Sequence, residues 1–164
     1  MTMNTAEKEQ QLQSTQFLTF IMNNEEYGVE ILDVQEIRGW ETCTELPNMP
    51  SYVKGVINLR GTIVPIIDLR QKFGFVDVEY SATTVVIIVK VLVEQQLKVM
   101  GLVVDAVSDV HSIADGDVNL PPQLNHESTP NVIKGLVSIN DKMVVLHCNI
   151  DPKSLSIAID QPLI

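Results

Sequence analysis

Residues 50–66, PSYVKGVINLRGTIVPI, recur 80 positions later as PNVIKGLVSINDKMVVL at 130–146. Pro50/Pro130, Lys54/Lys134, Gly55/Gly135 and Val64/Val144 coincide, and Val53/Ile133, Val56/Leu136, Ile57/Val137, Leu59/Ile139 and Ile63/Met143 keep their apolar character. A second pair, YGVEILDVQEI (27–37) and MGLVVDAVSDV (100–110), aligns at a shift of 73, with Gly28/Gly101, Val34/Val107 and the acids Glu36/Asp109 in register. Both pieces stand in the same order in each half, the second half being seven residues longer between them. Two ordered matches imply that the fold itself is duplicated, because each repeat unit buries its apolar face against a related neighbour.

The unit is β in character. Of the 164 residues 45% are hydrophobic and only 5% aromatic, and Val, Ile and Leu dominate the apolar content, which suits a pleated surface. Each half opens with a strand, Phe17–Met22 or Thr84–Val91, followed by a polar turn at NNEE (23–26) or EQQ (94–96) and a strand through the shared glycine. A Pro-bearing connector (ELPNMP or NLPPQLNHESTP) then leads through Lys-Gly into a last hairpin, whose turn is Arg60-Gly61 in one half and Asn140-Asp141 in the other. Short strands with frequent turns point to two small SH3-sized barrels or sandwiches. Helix is expected only in minor pieces, with Pro50–Val53 and Pro130–Ile133 as places for one short turn. Pro65 lacks an N–H and suits a strand edge or bulge.

Composition removes several functions. A net charge of −10 opposes nucleic-acid backbone binding and adsorption to anionic lipid. The first sixteen residues lack the apolar stretch of a secretory signal and read as a frayed tail. The apolar run Val85–Val93 is broken by Lys90 and falls well short of the ~20 residues that span a bilayer. Two cysteines, Cys43 and Cys148, make no disulfide framework, and a reduced cytoplasmic setting follows.

Chemistry finds little support. His111, His126 and His147 stand in different segments without metal-ligand spacing, and the adjacent His147 and Cys148 point to opposite faces of an apparent strand. Asp105 and Asp109 read as polar positions on a strand and turn rather than a catalytic pair, and no phosphate-cradling glycine motif occurs. No catalytic residue, metal ligand or cofactor is therefore assigned. Binding features remain. Arg60 at a turn tip offers a hydrated guanidinium to a partner, or pairs locally with Asp68 or Asp33. In DVQEI (33–37), Val34 and Glu36 share one face of an extended chain, the apolar-plus-acid arrangement of an interface rim, although a core role for the apolar residues is the plainer reading.

The stretches EEYGVEILDVQEIRG (25–39), PSYVKGVINLRGTIVPIIDLRQKFG (50–74), TTVVIIVKV (83–91) and GLVVDAVSDV (101–110) resemble the CheW family of bacterial chemotaxis coupling proteins, from about Phe17 to Asp151. The resemblance implies a mainly β fold of two similar SH3-like five-stranded barrel lobes around a shared core. It implies a single domain over 17–152, with lobes of about 17–82 and 83–152 intertwined, between a flexible tail (1–16) and a C-terminal tail (153–164). It implies a non-enzymatic adaptor that bridges chemoreceptor cytoplasmic tips and the regulatory domain of the histidine kinase CheA. Such an adaptor is cytoplasmic and recruited to membrane-associated arrays without inserting into the membrane. Carried over by matched motif, the receptor-binding groove comprises Gly55, Asn58, Leu59, Arg60, Val85, Val86 and Gly101. The kinase-binding face comprises Ile31, Val34, Glu36 and Ile37, and a second, ring-closing kinase contact falls at Leu124. The hairpin around Val91–Met100 is slightly longer than the family pattern, and NIDPKSLSIAIDQPLI lacks a long amphipathic helix, so docking at that end is expected to differ. An adaptor for a different kinase pathway is the alternative, and a small β-barrel enzyme a remote one.

Overall fold

The computed structural model describes residues 14–75, 77–93, 95–119, 133–140 and 142–147. Within them the first half contributes β1 (Ser14–Met22), β2 (Glu25–Glu30), a 3-10 turn (Ile31–Asp33), β3 (Val34–Gly39), β4 (Val53–Leu59), β5 (Thr62–Asp68) and α1 (Leu69–Lys72). The second contributes β6 (Val85–Val93), β7 (Gln96–Val104), β8 (Ala106–Ala114), a 3-10 turn (Asp115–Asp117), β9 (Ile133–Ile139) and β10 (Lys142–His147). The protein is mainly β, with two SH3-like five-stranded lobes.

The strand orders show how the repeat is used. Sheet 1 runs β8-β1-β2-β10-β9, and sheet 2 runs β3-β6-β7-β5-β4. Strands one and two of each half therefore join strands three, four and five of the other. The register repeats as well: Leu146 pairs with Gly28 in the parallel β10/β2 ladder, and Ile66 with Gly101 in the parallel β5/β7 ladder. Each shared glycine thus stands opposite the same aliphatic position of the other half's hairpin.

The stretch 27–37, continuous in its apolar pattern, is two strands in different sheets, separated at Ile31–Asp33. Hydropathy alone conceals the break, because both flanking strands bury residues on the same central core.

Three apolar clusters explain the aliphatic runs. Leu18, Phe20, Met22 and Val29 of sheet 1 meet Ile67, Ile87, Val89, Met100, Leu102 and Val104 of sheet 2 in the shared core. Leu59, Val64, Ile66, Val86, Ile88 and Val103 fill the interior of sheet 2, and Phe17, Ile113, Val137 and Val144 that of sheet 1. In β6, Ile87 and Val89 face the shared core while Val86 and Ile88 face the lobe interior. A strand buried on both faces must be apolar at every position, which is why this segment lacks alternation.

The hairpins obey their turn residues. Asn23 and Asn24 (φ 52° and 64°) join β1 to β2, and Arg60 and Gly61 (φ 50° and 90°) join β4 to β5. Two successive residues at positive φ form the tight hairpin turn whose twist matches its strands. Asn140 also has positive φ, 51°, while Asp141 lies outside the described residues. Pro50–Val53 forms a turn, closed by the Val53 N–H on the Pro50 carbonyl, rather than the start of a helix. Pro130 lies outside the described residues. The short helix α1 sits elsewhere, directly after β5, where Asp68 caps it by accepting from the Arg70 N–H. Pro65 is buried in a strand flanked on both sides. It stands opposite Val56 of β4, whose own N–H and carbonyl are bonded to Thr44, and on the other side β5 begins its pairing with β7 only at Ile66, so no β7 ladder is interrupted at residue 65.

Candidate interaction surface

The Arg60-Gly61 turn and the edge strand β3 meet. Arg60 Nη2 donates to Glu36 Oε1, so the tip of the β4–β5 hairpin is held against the opposite margin of the curled sheet. Neither Asp68 nor Asp33, the local partners considered for Arg60, takes this contact. Asn58 fixes the turn from within by accepting the Gly61 N–H at 2.8 Å. The Arg60 side chain remains 68% exposed and that of Glu36 27%, so one flank of the guanidinium is committed and the other faces solvent.

Along β3, burial alternates: Val34, Glu36 and Arg38 are half-buried while Gln35, Ile37 and Gly39 are exposed. Val34 and Glu36 share a face, as an extended chain requires, although the pairing with β6 slips between them. Ile31 and Val34 rest against the shared core. Ile37 is 43% exposed, and Ile63 on β5 is 51% exposed. Leu32, in the turn between β2 and β3, is 85% exposed and was not singled out by the sequence, where it reads as one more aliphatic in a strand.

The residues expected to line a groove divide by burial. Asn58 and Arg60 are exposed and Val85 is half-buried. The Leu59 and Val86 side chains are buried in the interior of sheet 2, because their strand positions alternate inward. Gly101 is buried beneath Ile66, Val86 and Ile88, and a Cβ there would lie 2.5 Å from Ile66 Cδ1. Gly55, at φ 139°, lies so close to the Thr44 carbonyl that a Cβ would fall 2.1 Å from its oxygen. Thr44 and Val56 exchange two backbone hydrogen bonds and so cover the outer side of β4. Gly55, Leu59, Val86 and Gly101 are thus buried, and among the residues expected at the groove Asn58 and Arg60 are the exposed polar ones. Leu124, His126 and Cys148 lie outside the described residues.

At the other end of β5 lies a polar cluster that the sequence did not disclose. Arg70, 1% exposed, donates from Nε and Nη2 to Asp68 (3.0 and 2.8 Å) and from Nη1 to Asp105 (2.7 Å) and the Glu79 carbonyl (2.8 Å). The Tyr80 hydroxyl donates to Asp68 Oδ2 at 2.8 Å. Burial by itself would lower the Arg70 pKa, but the hydrogen bonds and charges of Asp68 and Asp105 outweigh it and hold the value above that of an ordinary guanidinium. Burial first, then the bond to Asp68, push the Tyr80 phenol well above the usual tyrosine value. Tyr80 also stacks on Trp40 at 4.4 Å between ring centres, which joins the 75–84 connector to the end of β3. The signal available in sequence was the D-L-R triplet itself, in which Asp68 caps the helix and clamps Arg70 at once.

Asp105 and Asp109 serve structure. Asp105 receives Arg70, and the Asp109 backbone exchanges two hydrogen bonds with the buried Thr19 hydroxyl where the β1/β8 register shifts. Among the described residues no group of three His, Cys, Asp or Glu is placed to hold a metal ion, and no helix is long and apolar enough to cross a membrane.

Comparison with known proteins places the chain. Residues 16–155 match the family model for the CheW-like domain. The chain is 44% identical over 131 residues to chemotaxis protein CheW of Klebsiella aerogenes, covering 80% of this chain and 76% of that one. It is 28% identical over 127 residues to chemotaxis protein CheW of Bacillus subtilis, covering 77% and 79% respectively. The crystal structure of the scaffolding protein TtCheW from Thermoanaerobacter tengcongensis superposes with a TM-score of 0.73 at 33% identity, over 82% of this chain and 88% of that one.

Proposed function

The chain belongs to the CheW-like domain family and is a chemotaxis scaffold rather than an enzyme, and from that premise we propose that it couples chemoreceptor cytoplasmic tips to the regulatory domain of the histidine kinase CheA. The observation that carries this reading is the Arg60–Glu36 pair, which brings the turn assigned to the receptor side against the strand assigned to the kinase side. A receptor helix would meet Asn58 and Arg60 over the floor built from Gly55, Leu59, Val85, Val86 and Gly101. The kinase domain would meet Ile37 and Glu36, with Ile31 and Val34 behind them. Leu124 remains the proposed site of the ring-closing kinase contact. The mechanism is assembly: a receptor conformation favoured by its ligand is sensed by a kinase held in the same complex, and the coupling is the difference in binding free energy between states. Array recruitment from the cytoplasm then requires no membrane insertion, and repeated attachment compensates for modest single contacts.

Co-purification with receptor and kinase tests the assignment. Arg60→Ala should lose receptor and keep the kinase domain, whereas Val34→Asp should lose the kinase domain and keep receptor. Circular dichroism should show both variants folded. Unchanged capture of both partners by both folded variants would remove the assigned faces.

A further inference from the structure

The chain crosses between the sheets at two quasi-equivalent points, from β2 to β3 through Ile31–Asp33 and from β7 to β8 through Asp105. The shift of 73 that aligns Gly28 with Gly101 sets Leu32 against Asp105. The two crossings are fastened in different ways. At Asp105, Oδ1 accepts from Arg70 of sheet 2's hairpin end at 2.7 Å. Oδ2 accepts from the Asn23 N–H of sheet 1's β1–β2 turn at 2.8 Å, and the Asp105 N–H donates to the Ile21 carbonyl at 3.0 Å. Arg70 is itself clamped by Asp68, so three directional bonds tie both sheets to one buried cation.

Among the described residues, Ile31–Asp33 at the other crossing has no such side-chain tie. Ile31–Asp33 contains no buried residue, its N-terminal end has no side-chain cap, and Leu32 projects into solvent. Partial burial, and next the charge of Glu30, raise the Asp33 pKa, the reverse of what a cationic partner would do. Ile31 and Val34 pack on the shared core through apolar contact, which is non-directional and tolerates small sliding, while the backbone pairing of Val34 with Val89 lies within sheet 2.

We propose that the two sheets are hinged unequally: the Asp105 crossing is the fixed pivot, and the Ile31–Asp33 crossing is where one sheet shifts past the other. This concerns the internal mechanics of the fold and stands whichever partners it serves. A partner on β3, which begins at the loose crossing, would shift sheet 2 at that end, with the charge cluster as the pivot.

Residue-resolved amide exchange on the full chain tests it by comparing two hydrogen-bonded amides, Val34 (to the Ile31 carbonyl) and Asp105 (to the Ile21 carbonyl). After correction for intrinsic rates, Val34 should exchange at least about tenfold faster, the range between local opening and core protection. Asp105→Asn should then accelerate the amides of residues 23 and 105 by about tenfold or more and leave Val34 unchanged. Equal protection of Val34 and Asp105 in the unaltered chain overturns the proposal. So does an Asp105→Asn chain in which all three amides accelerate alike.

Discussion

The two lobes share their apolar plan and differ in their polar fittings. In sheet 2 the hairpin turn carries Arg60, which reaches Glu36 on the edge strand. In sheet 1 the matching positions are Asn140 and Asp109, and the Asp109 carboxylate turns instead to its neighbour's N–H at 2.8 Å. Sheet 2 ends its hairpin in Asp68 and Arg70, whereas the aligned positions of the second half are Cys148 and Ile150. The duplication maintains what the barrel needs, and the departures from it show where the lobes were specialised.

The most severe way to break this comparison is at the charge cluster that only one half carries. Arg70→Ala strands the fully buried Asp68 carboxylate, so chemical denaturation should show a loss of about 3–5 kcal/mol. Next are the two glycines that the repeat makes equivalent. Gly101→Ala forces a methyl into Ile66 and Val86 and should cost about 1–3 kcal/mol, with Gly28→Ala costing a similar amount if the equivalence extends to packing. Denaturation midpoints that differ by more than that range would mean that the shared register conceals different cores.

Tyr80→Phe should cost about 1–2 kcal/mol, because it removes one donor to a buried charge. It also sharpens the pH dependence. The folded state holds the phenolic proton more tightly than the unfolded chain, so the unaltered protein loses stability as pH rises past the ordinary tyrosine value of 10.0. That loss is absent below it, and the phenylalanine variant should lack this part of the alkaline slope. Arg60→Ala should change stability least, by about 1 kcal/mol or less for an exposed pair, while abolishing receptor capture. Asn140→Ala, at the equivalent turn of sheet 1, should leave receptor capture intact.

Much of this was legible in the sequence because it rests on short-range rules. The hairpin turns follow from Asn23-Asn24 and Arg60-Gly61, residues that accept positive φ. The duplicated β unit follows from two ordered matches, and Arg60 and Glu36 stood out as an unmatched basic turn and an acid beside apolar neighbours. The burial of Leu59 and Val86 was not legible, since an aliphatic residue on a strand reads the same whether it faces a groove or a lobe interior. The short helix after Asp68 was also missed, because four residues carry no periodicity.

The sequence by itself determined that there would be two similar β units, where they turn, and which polar residues one has and the other lacks. Local conformational preference and side-chain alternation are written residue by residue, so they survive without knowledge of the fold. Only the tertiary structure decided that each sheet would take two strands from one half and three from the other. It alone set Arg60 against Glu36 and Arg70 between Asp68 and Asp105. Those choices depend on which strand edges meet in space, and a duplicated pattern satisfies the pairing rules equally well within a half or across the two.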